Sequence, residues 1–359
     1  ILLAMITIHL MMVWVQKHTQ FPGPARTNNN VVGYPFMPVY MAKAGGFFFI
    51  VFGITVFLSG VATINPIWSY GPYMPDQITA GSQPDWHMGW LEGALRAMPN
   101  WETVISGHTL SWNVFIPGAI VLGVIIQLMI IYPWLEAKVT GDKREHHLLD
   151  RPRNAPTRTA IGAMSLSFYM LLLIGGGNDV IGTQFDISIN AITWFIRIGI
   201  IVIPPIVFVI TKRICLSLQR ADREKLMHGR ETGTIMRLPH GEFIEVHAPL
   251  SENEKAVILS KTDITPLPWP EKTDADGVRD PSYKKDHRWA RLSHWWYTDN
   301  IAKPTAAELA TAEEHIRHSA AEGAPIIAHR ASLEPEGGVL HDPAAAAAEA
   351  EEGKEPVGK

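Results

Sequence analysis

The chain has little cysteine and no excess of basic residues, and each shortage removes a class of function. Its 359 residues include one cysteine, Cys215, so no disulfide can form within it. It has no Cys-x-x-Cys-His to attach a haem covalently, and no cysteine cluster for zinc or an iron–sulfur centre. Cys215 sits beside an apolar run and is read as a packed thiol rather than a lipidation site. With 31 lysines and arginines against 35 aspartates and glutamates, the formal net charge is -4. No helix is read as carrying a basic stripe, so nucleic acid is excluded as a partner. Ile1–Val15 has no initiator Met, basic leader or small-residue cleavage site, so it does not match a signal peptide. It reads as the second half of a membrane helix whose first half is missing.

What is present is apolar sequence in long runs. The mean hydropathy is near zero only because two unlike halves are averaged. Apolar residues dominate to about Leu216, and charged residues and proline take over beyond it. A spanning helix needs roughly 20 apolar residues to cross about 30 Å of hydrocarbon. Beyond the half-helix 1–15, four segments qualify: 45–64, 112–134, 160–177 and 190–211. Pro117, Pro204 and Pro205 fall inside them, where membrane helices tolerate proline. The expected fold is an all-α polytopic membrane protein, with an outer-face loop carrying a short helix and a cytoplasmic C-terminal extension.

Orientation follows from the loops. Lys17, Arg26 and Lys43 lie in the first loop, 16–44. Lys138, Lys143, Arg144, Arg151, Arg153 and Arg158 lie in the third, 135–159, and Lys212, Arg213, Arg220 and Arg223 follow the last span. The loop 65–111 holds only Arg96, and the link after 177 holds no basic residue. The basic segments are therefore assigned to the cytoplasm and 65–111 to the outer face. That loop carries Trp68, Tyr70, Tyr73, Trp86, Trp90 and Trp101, a density suited to a membrane interface. Within it, Asp85–Met98 reads as a helix with Trp90, Leu91, Ala94, Leu95 and Met98 on one face.

The extension, 212–342, should begin as a continuation of the last helix to about Met227. A hairpin is expected where Thr234–Leu238 and Glu242–Val246 flank Pro239-His240-Gly241. A surface helix is expected over Pro304–Glu322. The alanine- and glutamate-rich end, 343–359, reads as disordered.

Few residues stand out as carriers of chemistry. His9 lies mid-helix, either as a buried structural histidine or as an axial ligand to haem iron. Pro84-Asp85-Trp86-His87 either caps a helix, with Ser82 and Asp85 as a capping box, or offers Asp85 and His87 as proton acceptors. Arg197, inside the last span, is costly there unless it is paired or reaches an interface. No local carboxylate is placed to meet it.

Together these features resemble the cytochrome b family from Ile1 to about Leu250. His9-Leu10-Met11-Met12 looks like the end of the family's fourth helix, which carries two haem-ligating histidines fourteen residues apart. That spacing covers roughly 21 Å of helix, the offset needed to stack two haems across a bilayer. The resemblance implies that His9 ligates the high-potential haem and that its companion lies ahead of Ile1. Pro35-Phe36-Met37-Pro38-Val39-Tyr40 with Lys43 resembles the entry to the fifth helix. Pro84-Asp85-Trp86-His87 corresponds to the family's Pro-Glu-Trp-Tyr signature at the quinol oxidation site, implying that Pro84 and Trp86 contact quinol. Ala94-Leu95-Arg96-Ala97-Met98-Pro99 resembles the helix that follows. Here Asp85 replaces the signature's Glu and His87 its Tyr. Ala44 and Trp14 stand where relatives carry an Asp and a quinone-binding His, leaving Lys43 and His18 for an inner quinone site.

The segments Lys212–Gln219 and His228–Gly233 look like the extended C-terminus of the actinobacterial branch. The resemblance implies two b-type haems in the full-length protein, with only the ligand His9 in this segment, and quinone or quinol as substrate. Electrons from quinol would divide between a Rieske iron–sulfur protein and the haems, with protons released outside. Further implied partners are a dihaem cytochrome c, a terminal cytochrome oxidase and membrane lipids. With one axial ligand of four, the segment alone is expected to be inactive. A secondary transporter and a membrane scaffold stay open as alternatives. Against a transporter, no repeated halves with matching broken helices are found.

Overall fold

The computed structural model describes residues 1–327 apart from 32, 34, 64, 66–71, 73, 75–82, 86, 238, 263, 274–276 and 322–325. The expected disordered end, 343–359, lies outside the described residues, as do Trp68, Tyr70, Tyr73, Ser82 and Trp86. The fold is mostly helical. Helix α1 (Leu2–Gln16) buries no side chain. Among the described residues, four helices are long and apolar enough to cross a membrane. The first is α2 (Met41–Val61), entered through a wide turn at Phe36–Tyr40. The second runs from α4 (Trp112–Phe115) through a widened turn at Ile116–Val121 into α5 (Leu122–Thr140). Pro117 lies in that widened turn and is buried. The others are α6 (Pro156–Gly176) and α8 (Ile189–His228).

Their polar groups are handled as hydrocarbon requires. In α2, Thr55 Oγ1 donates to the Val51 carbonyl and Ser59 Oγ to the Thr55 carbonyl, both at 2.8 Å. Each hydroxyl finds its acceptor one turn back on its own helix. Helix α8 has 40 residues, or about 60 Å at 1.5 Å per residue, twice the hydrocarbon thickness. Its C-terminal part therefore continues past the apolar run, as anticipated for residues 211–227.

Two compact units divide the chain: residues 1–31, 134–159 and 211–359 in one, and 32–133 and 160–210 in the other. In the first, the segment after α1 is stitched to the one after α5. Gln20 N donates to the His147 carbonyl at 2.5 Å, and Leu149 N to the Gln20 carbonyl at 2.7 Å. Asn28 Oδ1 accepts from the backbone of both His147 and Leu148. Arg151 and Arg153 both reach Asp222 on α8, at 3.2 and 2.9 Å. Gln219 donates to the Arg153 carbonyl and accepts from Ile301 N.

The described part of the extension, to Ile327, is folded. The expected hairpin forms as β3 (Arg230–Arg237) and β4 (Phe243–Ala248), antiparallel, with the short β5 (Ile326–Ile327) beside β4. Helix α9 (Glu252–Leu259) opens on a complete Ser251–Glu254 capping box. Helix α10 (Tyr283–Tyr297) and α11 (Ala306–Ala321) follow. Cys215 is buried, as expected of a packed thiol.

The second unit holds α2, α3 (Gly89–Ala97), a hairpin and the short helix α7 (Asn178–Phe185). The expected helix from Asp85 to Met98 starts instead at Gly89, capped by Met88 with no side-chain hydrogen bond. Pro84 is thus not in its first turn. The hairpin pairs β1 (Glu102–Ile105) with β2 (His108–Ser111). Both turn residues have positive φ, Ser106 at 51° and Gly107 at 80°, the geometry that matches strand twist in a two-residue loop.

Helix α3 packs on α6 through small residues. Its buried positions are Trp90, Gly93, Ala94 and Ala97; Trp90 and Ala94 of the expected face are buried, while Leu91, Leu95 and Met98 are half-buried. A Cβ on Gly93 would lie 1.7 Å from the Leu172 carbonyl oxygen, and one on Gly176 only 2.1 Å from that of Gly89. Backbones this close leave no room for a methyl, and such close approach is how helices associate in lipid. Gly93→Ala should therefore push α3 away, costing about 1–3 kcal/mol as an overpacked contact does. Thermal unfolding of the full-length protein in detergent would measure it; an unchanged midpoint would refute the contact.

Candidate functional site

Residues 83–97 and α7 converge on one arginine, Arg96. Its guanidinium meets Asp179 Oδ1 at 2.7 Å, Asn178 Oδ1 at 2.5 Å and Gln83 Oε1 at 3.1 Å, and also contacts Glu92 one turn back. Gln83 Nε2 closes the ring by donating to Asp179 Oδ2 at 2.6 Å. Asp179 sits in the first turn of α7, where a carboxylate also faces the positive end of the helix. Burial disfavours the Arg96 cation, but Asp179 and Glu92 outweigh it and raise its pKa above the ordinary arginine value. Burial likewise works against ionised Asp179, yet Arg96 and the Val180 N–H hold its carboxyl below the usual range. The network pins both ends of α3's approach to α7.

Arg197 has a partner the sequence did not disclose. Its Nε donates to the Ala97 carbonyl at 2.7 Å, and its guanidinium lies 5.1 Å from the Trp194 ring centroid. The last carbonyls of a helix are unpaired and carry its negative end, so a cation there satisfies both. The C-terminus of α3 is thus tied to α8, which explains an intramembrane arginine without a nearby acid. Arg96 and Asp179 were not among the expected site residues. The one available signal was that Arg96 stands as the sole basic residue in its loop.

The predicted motif lies at the head of this assembly. Asp85 and His87 are exposed and Pro84 is half-buried. The Asp85 carbonyl accepts from Met88 N at 2.8 Å and Gly89 N at 3.1 Å, turning the chain into α3. Trp90 packs with Leu172 and lies 6.1 Å from the Tyr169 ring, on the α6 side. Pro84, Met88, Leu91, Glu92, Leu95 and Arg96 line an open groove of about 470 Å³. That is within the range of small-molecule sites. Its walls are apolar except for Glu92 and Arg96, and Glu92 was also missed from sequence. A much smaller cavity, of about 30 Å³, lies beside Asn154, Gln219, Asp222 and Lys261. There Gln219 and Asp222 are already committed to Arg153, Arg151 and Ile301.

His9 is exposed at the middle of α1, with no ring hydrogen bond among the described residues. Its imidazole is therefore available as a ligand. No three His, Cys, Asp or Glu side chains among the described residues gather to hold a bare metal ion. A haem, which brings four nitrogens of its own, asks only axial ligands of the protein, and His9 fits that need. His18 is exposed after α1, and Lys43 lies in the first turn of α2.

Known proteins decide the family. The chain is 52% identical over 310 residues to the cytochrome bc1 complex cytochrome b subunit of Streptomyces coelicolor, covering 86% of this chain and 57% of that protein. This chain belongs to the cytochrome b family. The corresponding subunits of Corynebacterium efficiens and Mycobacterium tuberculosis are 53% and 52% identical over 250 residues, 70% of this chain. A family profile described as cytochrome b (N-terminal)/b6/petB matches residues 1–72. The chain spans about half the length of these relatives, 57%, 46% and 45% respectively. The match over 310 residues must run past Leu250, so the likeness to the Streptomyces subunit includes part of the extension. With its four apolar spans, this cytochrome b chain is that of a multi-pass membrane protein.

Proposed function

We propose that the chain is the quinol-oxidising part of the cytochrome b subunit of a quinol:cytochrome c reductase. The observation that carries the proposal is the groove beside the Pro84–His87 turn. Its apolar wall of Pro84, Met88, Leu91 and Leu95 suits a quinol ring and the start of its tail. Oxidising a quinol releases two protons with two electrons, so the site needs bases close by. Asp85 and His87 stand in the turn between two lining residues, and Glu92 is in the wall itself. The Arg96 network holds α3, and with it this wall, against α7.

His9 is the axial ligand of one b-type haem in this proposal. When bound, the two haems of the full-length protein supply one-electron transfer across the membrane. The other electron leaves through a Rieske iron–sulfur protein to a dihaem cytochrome c and on to a terminal oxidase. Quinone is reduced at an inner site near Lys43 and His18, so that protons are moved across the membrane.

The loop 65–111 faces outside and the extension faces the cytoplasm. In support, the segment after α1, the one after α5 and the end of α8 are bonded together through Gln20, Asn28 and Asp222. These are the three basic segments, and one side must hold all of them. Protease added to right-side-out vesicles should spare residues beyond Thr211, and inverted vesicles should lose them. The opposite pattern would put Asp85 on the wrong face. The activity itself is tested on the purified full-length complex, which should reduce cytochrome c with quinol. Absence of that reaction would end the proposal.

A further inference from the structure

Helix α10 has two unlike faces. Ala290, Ser293 and Tyr297 are buried, at 1%, 0% and 8% exposure. Ser293 Oγ accepts from Leu267 N, and His294 stacks on Trp269 with ring centroids 4.4 Å apart. The opposite face carries Lys284, Arg288, Arg291, Leu292 and Trp295, all exposed. At 100° per residue these five fall within one arc, a basic stripe interleaved with Leu and Trp. The sequence had been read as having no such helix. Its one carboxylate, Asp286, is taken up by Ser282 Oγ at 2.6 Å.

Three contacts place α10 at the ends of the membrane spans. Trp289 lies under the Lys138 ammonium, 4.5 Å from its centroid, where the apolar run of α5 gives way to charge. Trp295 meets Lys212 at 5.8 Å, the first charged residue after the apolar run of α8. Thr157 Oγ1, in the first turn of α6, donates to the Trp296 carbonyl at 2.5 Å. A helix touching the boundary of three spans lies at the depth of the headgroups. Tryptophan is enriched there, and lysine and arginine reach lipid phosphates there.

We infer that α10 is a membrane-surface helix whose Lys284–Trp295 face binds anionic phospholipid headgroups. The charges and the depth match a phosphate layer, and Leu292 with Trp295 supplies apolar contact to the acyl boundary. The helix thereby holds the folded extension against the membrane. This reading needs only the spans and does not depend on quinol chemistry.

Photocrosslinking tests it in the complete complex, reconstituted in vesicles of equal parts phosphatidylcholine and phosphatidylglycerol. With Leu292→p-benzoylphenylalanine, irradiation should give lipid adducts with a severalfold excess of phosphatidylglycerol. Lys284→Glu, Arg288→Glu and Arg291→Glu together should return the ratio to that of the vesicle. A probe at Phe48 in α2, read in the same proteins, should be unaffected by those changes and reports that the spans still insert. Adducts to a protein subunit, adducts in the bulk lipid ratio, or no lipid adducts at all would each overturn the inference.

Discussion

Replacing His9 with leucine in the full-length protein is expected to remove the high-potential b haem and leave the low-potential one in place. Reduced-minus-oxidised spectra should lose one of two b-type absorbances, and quinol-dependent reduction of the inner quinone should collapse with it. The effect should be all-or-none, because no other side chain between Leu2 and Gln16 except Met can approach iron, and thioether is a weaker donor than imidazole. Leucine keeps the helix apolar and well formed. No hydrogen bond to the ring exists among the described residues to be lost, so a fold defect is not expected to mimic ligand loss. His18→Leu is the matched control: it should leave both absorbances intact. Two b haems surviving in His9→Leu would remove His9 from the site.

The spans were legible because hydrocarbon imposes one simple demand, about 20 apolar residues, and the runs ending near Thr211 and Trp134 meet it openly. The hairpin at Arg230–Ala248 was legible for a similar reason, two β-prone runs around Pro239-His240-Gly241. Helix α3 was only half legible. Counting apolar residues favours Leu95 and Met98, whereas its contact with α6 rests on Gly93, whose value lies in having no side chain. Hydrophobic pattern scores a glycine as nothing, so it picked out Trp90 and Ala94 of the buried face but not Gly93. The β1–β2 turn did carry a local signal, Ser106-Gly107 between alternating residues, that went unread. Arg96 and Arg197 were beyond reach for another cause. Their partners Asp179 and Ala97 lie 83 and 100 residues away in sequence, and Ala97 offers only a backbone carbonyl, which no residue type announces. The motif at Pro84–His87 came from family resemblance, and its neighbour Glu92 became a site candidate only when the groove brought it beside Pro84.

The proton acceptors proposed at that motif, Asp85 and His87, stand where the family pattern that the sequence resembles has Glu and Tyr. A base that takes a proton from quinol near neutral pH works best with a pKa close to that pH. A free aspartic acid titrates at about 3.9 and a free histidine at about 6.5, so by type alone histidine is the better match. Trp90 is committed to Leu172 and Tyr169, and Asp85 is exposed. His87 is exposed in the same turn, on the residue just before Met88 of the groove wall. We therefore propose His87 as the primary acceptor, with Asp85 orienting it or passing the proton outward. His87→Tyr restores the family's common residue, yet should slow quinol oxidation about tenfold or more at neutral pH, the lower range of what a positioned base contributes. Adding Asp85→Glu, which restores the whole signature and the longer reach of its carboxylate, should recover most of the rate. The pH profile separates proton chemistry from packing. A protonated imidazole accepts nothing, so the native rate should fall toward acid pH, and His87→Tyr should alter that limb. A full rate and an unchanged profile in His87→Tyr would make His87 a spacer and give the proton to Asp85.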